Sequence, residues 1–268
     1  MQRAVASIVI PARFASKRFP GKPLAAVRGA GGLAKPLIQR SYEAACEVGD
    51  VASVHIATDD ERIGQVAQRF DASVIYTPAN CANGTERVAA AIAEVPEASE
   101  IIVNFQGDAL LTPPAFVEFL IEHMRLHPGC DVSTVAVRCS GSAYRHLVAD
   151  QAAGRSGGTT VVVNGKGEAM YFSKRVIPYV PEDHIADDVP VLMHLGLYAY
   201  RREALRRYAA AAPAPTEELE GLEQLRFLHN GTPVEVVQCD APGWDVIELN
   251  NPSDLAVIEA ILVNRNIA

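Results

Sequence analysis

The chain has 268 residues, 49% hydrophobic and 21% charged, which excludes disorder and leaves enough length for a sizeable core in one large or two small domains. Its net charge of −8 and pI near 5.4 speak against a general nucleic-acid binder, which carries a basic surplus. The five cysteines, Cys46, Cys81, Cys130, Cys139 and Cys239, are scattered without CxxC spacing, so neither a disulfide framework nor a zinc site is expected.

In chain order, the first strand spans 7–10 and ends at Pro11 in a loop carrying Arg13, Lys17, Arg18 and Lys22. Four neighbouring cations repel one another unless water or an anion lies among them. A solvated basic face and an anion site are both consistent with the loop alone. Helical spacing follows over 36–45, with Gly49 as a stop, then a strand at 54–58, a helix at 61–70 and a strand at 73–76. An alanine-rich helix at 86–95 and a strand at 101–105 complete the first half. Nearly continuous apolar strands separated by single helices predict a parallel sheet covered on both faces.

From about Asp131 the pattern changes. Strands are expected at 132–137, 159–163, 191–200 and 234–238, with helices at 202–211, 217–229 and 252–264. Arg3 is followed by only a short apolar run, so no leader peptide is expected. No apolar stretch reaches the ~18 residues of a membrane span. The chain reads as a soluble cytoplasmic protein with no membrane or nucleic-acid partner.

Ligands of open α/β sheets bind outside the carboxyl ends of the strands. The basic loop, Thr58-Asp59-Asp60 and Gln106-Gly107-Asp108 all follow strands, so they share one edge. A glycine- and cation-rich loop there suits a triphosphate. GxxxxGK[ST] and GxGxxG are both absent. Asp108 reads equally as a helix cap and as a hard-cation ligand beside phosphates. Asn83-Gly84-Thr85-Glu86-Arg87 opens a helix and offers the polar groups that read a nucleobase edge.

The order IPARFASKRFPGKPL, ATDD, NGTER, VNFQGD, YFSK, HLGLYAYR and LEQLR resembles the 3-deoxy-manno-octulosonate cytidylyltransferases, or CMP-Kdo synthetases, from about Ile8 to about Leu255. That resemblance implies an α/β fold: a Rossmann-like nucleotidyltransferase (GT-A-like) mixed sheet with helices on both faces and a smaller β region. The chain would be a single domain over 1–268, with a sugar-binding and dimerisation region around 131–215. The reaction implied joins CTP to the anomeric hydroxyl of Kdo or a related 3-deoxy-2-ulosonic acid and releases pyrophosphate. Mg²⁺ is the implied cofactor and a homodimer the implied assembly.

Carried onto this chain, the resemblance makes Arg13, Lys22 and Asp108 catalytic. Ala12, Arg13, Ser16, Arg18 and Lys22 would surround the triphosphate, and Thr85, Arg87 and Gln106 the cytidine. Lys174, His194, Tyr198, Glu223 and Gln224 would line the sugar-acid pocket. Departures gather near the reaction centre. Where the family reads VQGDEP and GVDTPEDL, this chain has Phe105-Gln106-Gly107-Asp108-Ala109-Leu110 and Glu248-Leu249-Asn250-Asn251-Pro252-Ser253-Asp254-Leu255. Asn250 therefore stands where a second metal-binding Asp is expected, and Asp245 or Glu248 could replace it. Thr160 replaces a lysine, and Lys174 replaces the arginine of YFSR. Besides Kdo, two alternatives stay open: a different sugar acid (amino-Kdo, a nonulosonate or a secondary-metabolite acid), and an inactive nucleotide-binding paralogue.

Overall fold

The computed structural model describes residues 4–15, 19–155, 158–244 and 246–268. Its strands are β1 Val5–Ala12, β2 Ala26–Arg28, β3 Ala34–Pro36, β4 Ser53–Thr58, β5 Ser73–Tyr76, β6 Ser99–Asn104, β7 Val132–Ser140, β8 Thr159–Val163, β9 Ala169–Ser173, β10 Asp188–Arg201 and β11 Glu235–Cys239. The helices are α1 Leu37–Cys46, α2 Glu61–Gln68, α3 Gly84–Ala91, α4 Pro114–Leu126, α5 Gly141–Ala152, α6 Arg202–Ala210, α7 Pro215–Glu220, α8 Leu225–His229 and α9 Asp254–Asn264.

One mixed sheet runs β11-β7-β10-β6-β1-β4-β5, with β8 and β9 added alongside β10. β1 pairs in parallel with both β4 and β6, while β10 runs antiparallel to β6, β7 and β8. The period-two alternation of a strand sorts side chains to the two faces. Ala6, Ile8 and Ile10 of β1 join Ile101 and Val103 of β6 in a core with α1, α2 and α4. Val9 and Ile102 point the other way, into a core with α3, α6 and α8. Ile8, Ile10, Ile56 and Ile101 are fully buried, and each stabilises the fold by about 1.5–3 kcal/mol relative to exposure. The expected α/β sandwich with helices on both faces is therefore present.

Two helices, α4 and α5, lie outside the expected set, as do β9 and the β2–β3 hairpin. The single helix expected over 217–229 is corrected to two, α7 and α8. Gly221 adopts φ 61 and terminates α7, a left-handed conformation glycine takes without a Cβ penalty. The break places Glu223 and Gln224 between the helices, and Glu223 meets Thr85 at the start of α3.

Candidate active site

The strands β1, β4 and β6 end together, so Arg13, Asp59 and Asp108 follow their carboxyl ends on one edge. Ala12 is the buried last residue of β1, and Arg13 beyond it is exposed. Ser16 and Arg18, expected in the triphosphate loop, lie outside the described residues, as does Lys17. Lys22 Nζ forms a short ion pair with Asp108 Oδ2, crossing from the loop to the end of β6. The phosphate-binding cation and the metal-binding carboxylate assigned by resemblance thus neutralise each other directly.

Asn83 caps α3 by accepting the Glu86 N–H at 2.8 Å. Behind that cap, Thr85 is buried, its hydroxyl 2.9 Å from Tyr200 OH. The Thr85 main-chain N–H donates to Glu223 Oε2 at 2.9 Å. Arg87 is 3% exposed and donates to Thr77 Oγ1 at 2.6 Å, while Asp59 Oδ1 lies 2.9 Å away. Asp59, placed at this edge by ATDD but not among the expected site residues, is thus the partner of Arg87. The Asn104 Oδ1 acceptor at the end of β6 has no hydrogen-bond partner among the described residues, and the Asn104 amide nitrogen is 3.5 Å from Tyr200 OH.

On the same side, the rings of His194 and Tyr198 lie 5.4 Å apart, and Tyr198 stacks on Tyr200 at 5.8 Å. A register shift between β10 and β7 sits at residues 195–198. Thr134 fills it, donating its hydroxyl proton to Leu197 O at 2.7 Å. His194 Nε2, 2.9 Å from that hydroxyl, is therefore the donor, which fixes the neutral Nε2–H tautomer. Burial raises the Tyr198 phenol and, against the Thr85 N–H, the Glu223 carboxyl. Gln224 is 2% exposed, and its Nε2 has no partner among the described residues. Lys174 stands at the rim, exposed and with Nζ against Gly221.

Burial holds the His194 imidazole at about 3, below its ordinary 6.5. Below pH 6.5 the unfolded chain takes up a proton that the folded chain refuses. Stability should therefore fall as pH drops from 6.5 toward 3, by up to about 1.4 kcal/mol per pH unit. His194→Gln keeps a donor for Thr134 and removes the titration, so denaturant melts should show a smaller loss between pH 7 and 5 than in the parent chain. Equal losses would place His194 in water.

A hard divalent cation needs oxygen ligands, usually one or two carboxylates plus phosphate. Asp108 supplies one at this edge. The Asn250 main-chain N–H donates to Asp254 Oδ2 at 2.9 Å, which fixes the turn into α9. Asp245 lies outside the described residues. Glu248 lies near Gln106: a Cβ on Gly196 would meet Glu248 Oε1 at 3.3 Å and Gln106 Cγ at 3.5 Å. A side chain at 196 would press on the Glu248 carboxylate. The Glu248 charge also helps raise Tyr198. Trp244 anchors the late loop, its indole N–H donating to Leu111 O at 3.1 Å with Arg265 over the ring at 3.7 Å. Asp108 and Glu248 are carboxylates, the hard oxygen donors that Mg²⁺ takes.

The model of a family described as cytidylyltransferase matches residues 7–236. A relative named 3-deoxy-manno-octulosonate cytidylyltransferase, from Maricaulis maris, is 39% identical over 254 residues, 95% of each chain. Another, from Shewanella halifaxensis, is named 8-amino-3,8-dideoxy-manno-octulosonate cytidylyltransferase and is 36% identical over 262 residues, 96% of this chain and 98% of that one. A solved structure of CMP:2-keto-3-deoxy-manno-octonic acid synthetase complexed with CTP superposes with a TM-score of 0.82 at 34% identity, covering 97% of this chain and 99% of that one. With the fold and the ordered motifs, these matches show that the chain belongs to the cytidylyltransferase family, in its CMP-Kdo synthetase branch.

Proposed function

We propose that this chain transfers CMP from CTP to the anomeric hydroxyl of Kdo or a close 3-deoxy-2-ulosonic acid, releasing pyrophosphate. The observation that carries this reading is the Lys22–Asp108 pair at the carboxyl edge of the strands, beside the Thr85–Glu223 contact. The strand edge offers cations and a carboxylate; the buried side chains beside it are tyrosines, a neutral histidine and Gln224, whose Nε2 has no partner among the described residues. A buried donor without a partner costs about 1–3 kcal/mol, which a polar sugar acid would remove.

In this reading the triphosphate takes Lys22 from Asp108, and Arg13 adds a second cation. Thr85, Arg87 and Gln106 lie toward the base, and Asp59 fixes Arg87. Asp108 and Glu248, rather than Asn250, would hold Mg²⁺, which when bound offsets phosphate charge and acidifies the attacking hydroxyl. The sugar oxygen bonds to the α-phosphorus as the bond to pyrophosphate breaks. Orienting both substrates in line supplies most of the acceleration. The exposed β9 side chains Met170 and Tyr171 support a homodimer, which light scattering reads directly.

Thermal-shift titration tests the nucleotide assignment. CTP should stabilise the chain far more than ATP or GTP, and Lys22→Ala should weaken CTP binding by roughly 1.5–3 kcal/mol, the range for charged hydrogen bonds. Equal shifts with all nucleotides would remove the base-reading role of Thr85, Arg87 and Gln106.

One observation favours an amino-bearing acid as a second reading. Thr160, where the family has a lysine, is 1% exposed and bound to the Arg175 carbonyl and the Ile177 N–H at 2.8 and 3.1 Å. A neutral, tied-down residue there removes a cation that would repel a substrate ammonium.

A further inference from the structure

A second cluster of metal-binding side chains stands at the opposite end of the strands. β11 pairs in parallel with β7, Glu235 against Ser133 near the start of both. α4 returns from the Asp108 loop and ends beside Glu235. His123 lies in the last turn of α4 and His127 is its C-cap residue. A spacing of four puts both on one helix face, and their rings lie 4.2 Å apart at 35°. His123 Nε2 is 2.7 Å from Glu235 Oε2, with both side chains about one-quarter exposed, 24% and 26%. Ligand atoms of all three residues lie within 4.8 Å of one another.

The tautomers suit a metal. His127 Nδ1 is 2.9 Å from the His123 main-chain oxygen. A carbonyl only accepts, so Nδ1 carries a proton, and the neutral ring then has its lone pair on Nε2. That second hydrogen bond also orients the ring, as outer contacts of ligating histidines do. Between His123 and Glu235 a proton now occupies the space a cation could take, and metal binding would release it.

We propose that His123, His127 and Glu235 form a site for one divalent transition ion of the zinc and nickel class, which clamps the end of α4 to the edge strand β11. Two imidazoles and one carboxylate suit these ions and not Mg²⁺, and three protein ligands leave a fourth tetrahedral position for water. The His–Glu pair alone would be an ordinary surface contact worth about 0–1 kcal/mol. His127, the third donor, is what makes it a site. The residues joined are 112 apart in sequence. The cysteine count gave no hint of this site; its one sequence signal is the His-x-x-x-His spacing in His123-Met124-Arg125-Leu126-His127.

The test uses the full chain, stripped with chelator and dialysed against micromolar Zn²⁺, comparing the parent with His127→Ala and Glu235→Gln. Bound metal is counted and melting is followed with and without Zn²⁺. The parent should hold one more zinc equivalent than either variant, with affinity at least ~100-fold higher, the upper end of what losing a mere supporting contact costs. Zn²⁺ should raise its melting temperature, Mg²⁺ at the same concentration should not, and the variants should lose the zinc-dependent rise. His127 is exposed, so His127→Ala should melt like the parent in the absence of metal. Equal zinc content in parent and variants, or a melting rise that survives His127→Ala, would overturn the proposal.

Discussion

Asp108→Ala should lower CTP-dependent turnover by at least ~10²–10³-fold, the usual effect of deleting one preorganised group that stabilises transition-state charge. The residue sits at the end of β6 in an ion pair with Lys22, so two effects act together. The cation loses its one motif-matched carboxylate, and Lys22 loses the partner that holds it at the sheet edge. The second carboxylate should come from Glu248. Its oxygen lies near Gly196 and Gln106, whereas Asn250 is tied by its main chain to Asp254. Glu248→Gln should raise the Mg²⁺ requirement ~10–100-fold, in the range seen when a metal site loses support, and Asn250→Asp should change it little. Mg²⁺ titrations of turnover read all three variants. Full activity in Asp108→Ala would overturn the metal assignment; a large gain in Asn250→Asp would return the second ligand to position 250.

Arg226→Met should cost about 3–5 kcal/mol of stability, the range for removing one partner of a buried ion pair. Arg226 is 2% exposed and binds Glu217 with two nitrogens, at 2.8 and 2.6 Å. Glu86 Oε1 accepts a third bond at 2.9 Å, and the Tyr208 ring lies 4.2 Å from the guanidinium. Removing Arg226 leaves the Glu217 carboxylate buried without its cation. The double variant Arg226→Met/Glu217→Gln should regain much of the loss, because no uncompensated charge remains. Urea melts measure both. A single-variant loss under ~1 kcal/mol, as for a surface pair, would mean that water reaches the network. The arginine of LEQLR joins α8 to Glu217 of α7 and Glu86 of α3, and so holds the turn that carries Glu223 and Gln224.

Much of this was legible along the chain, for a physical reason. The apolar runs of β1, β4 and β6 are nearly continuous, short and bounded by turn residues. Local pattern suffices there, because a two-sided buried sheet demands it. The break at Gly221 was not legible, since helical spacing continues across 217–229 and only the backbone conformation reveals the stop. Asp108 was readable from its motif and Lys22 from its loop, but their direct pairing spans 86 residues. The same holds for Asp59 with Arg87 and for the Asn104 oxygen, without a partner among the described residues, which depend on strands meeting at one edge. Of the two substitutes, Glu248 lies beside Gly196 and Gln106, a placement no local pattern carries, and Asp245 lies outside the described residues. Trp244, the one tryptophan, ties the late loop to the segment after Asp108 through its bond to Leu111, a contact 133 residues apart that no local pattern carries.

The most direct test is pyrophosphate release by the purified chain with CTP and Mg²⁺, run without a sugar acid, with Kdo and with 8-amino-3,8-dideoxy-manno-octulosonate. The account predicts release that needs CTP and one of these acids together, and that is lost in Asp108→Ala. Stabilisation by CTP with no pyrophosphate released in the presence of either acid would contradict it, and would leave a nucleotide-binding protein that has kept the crevice without the reaction.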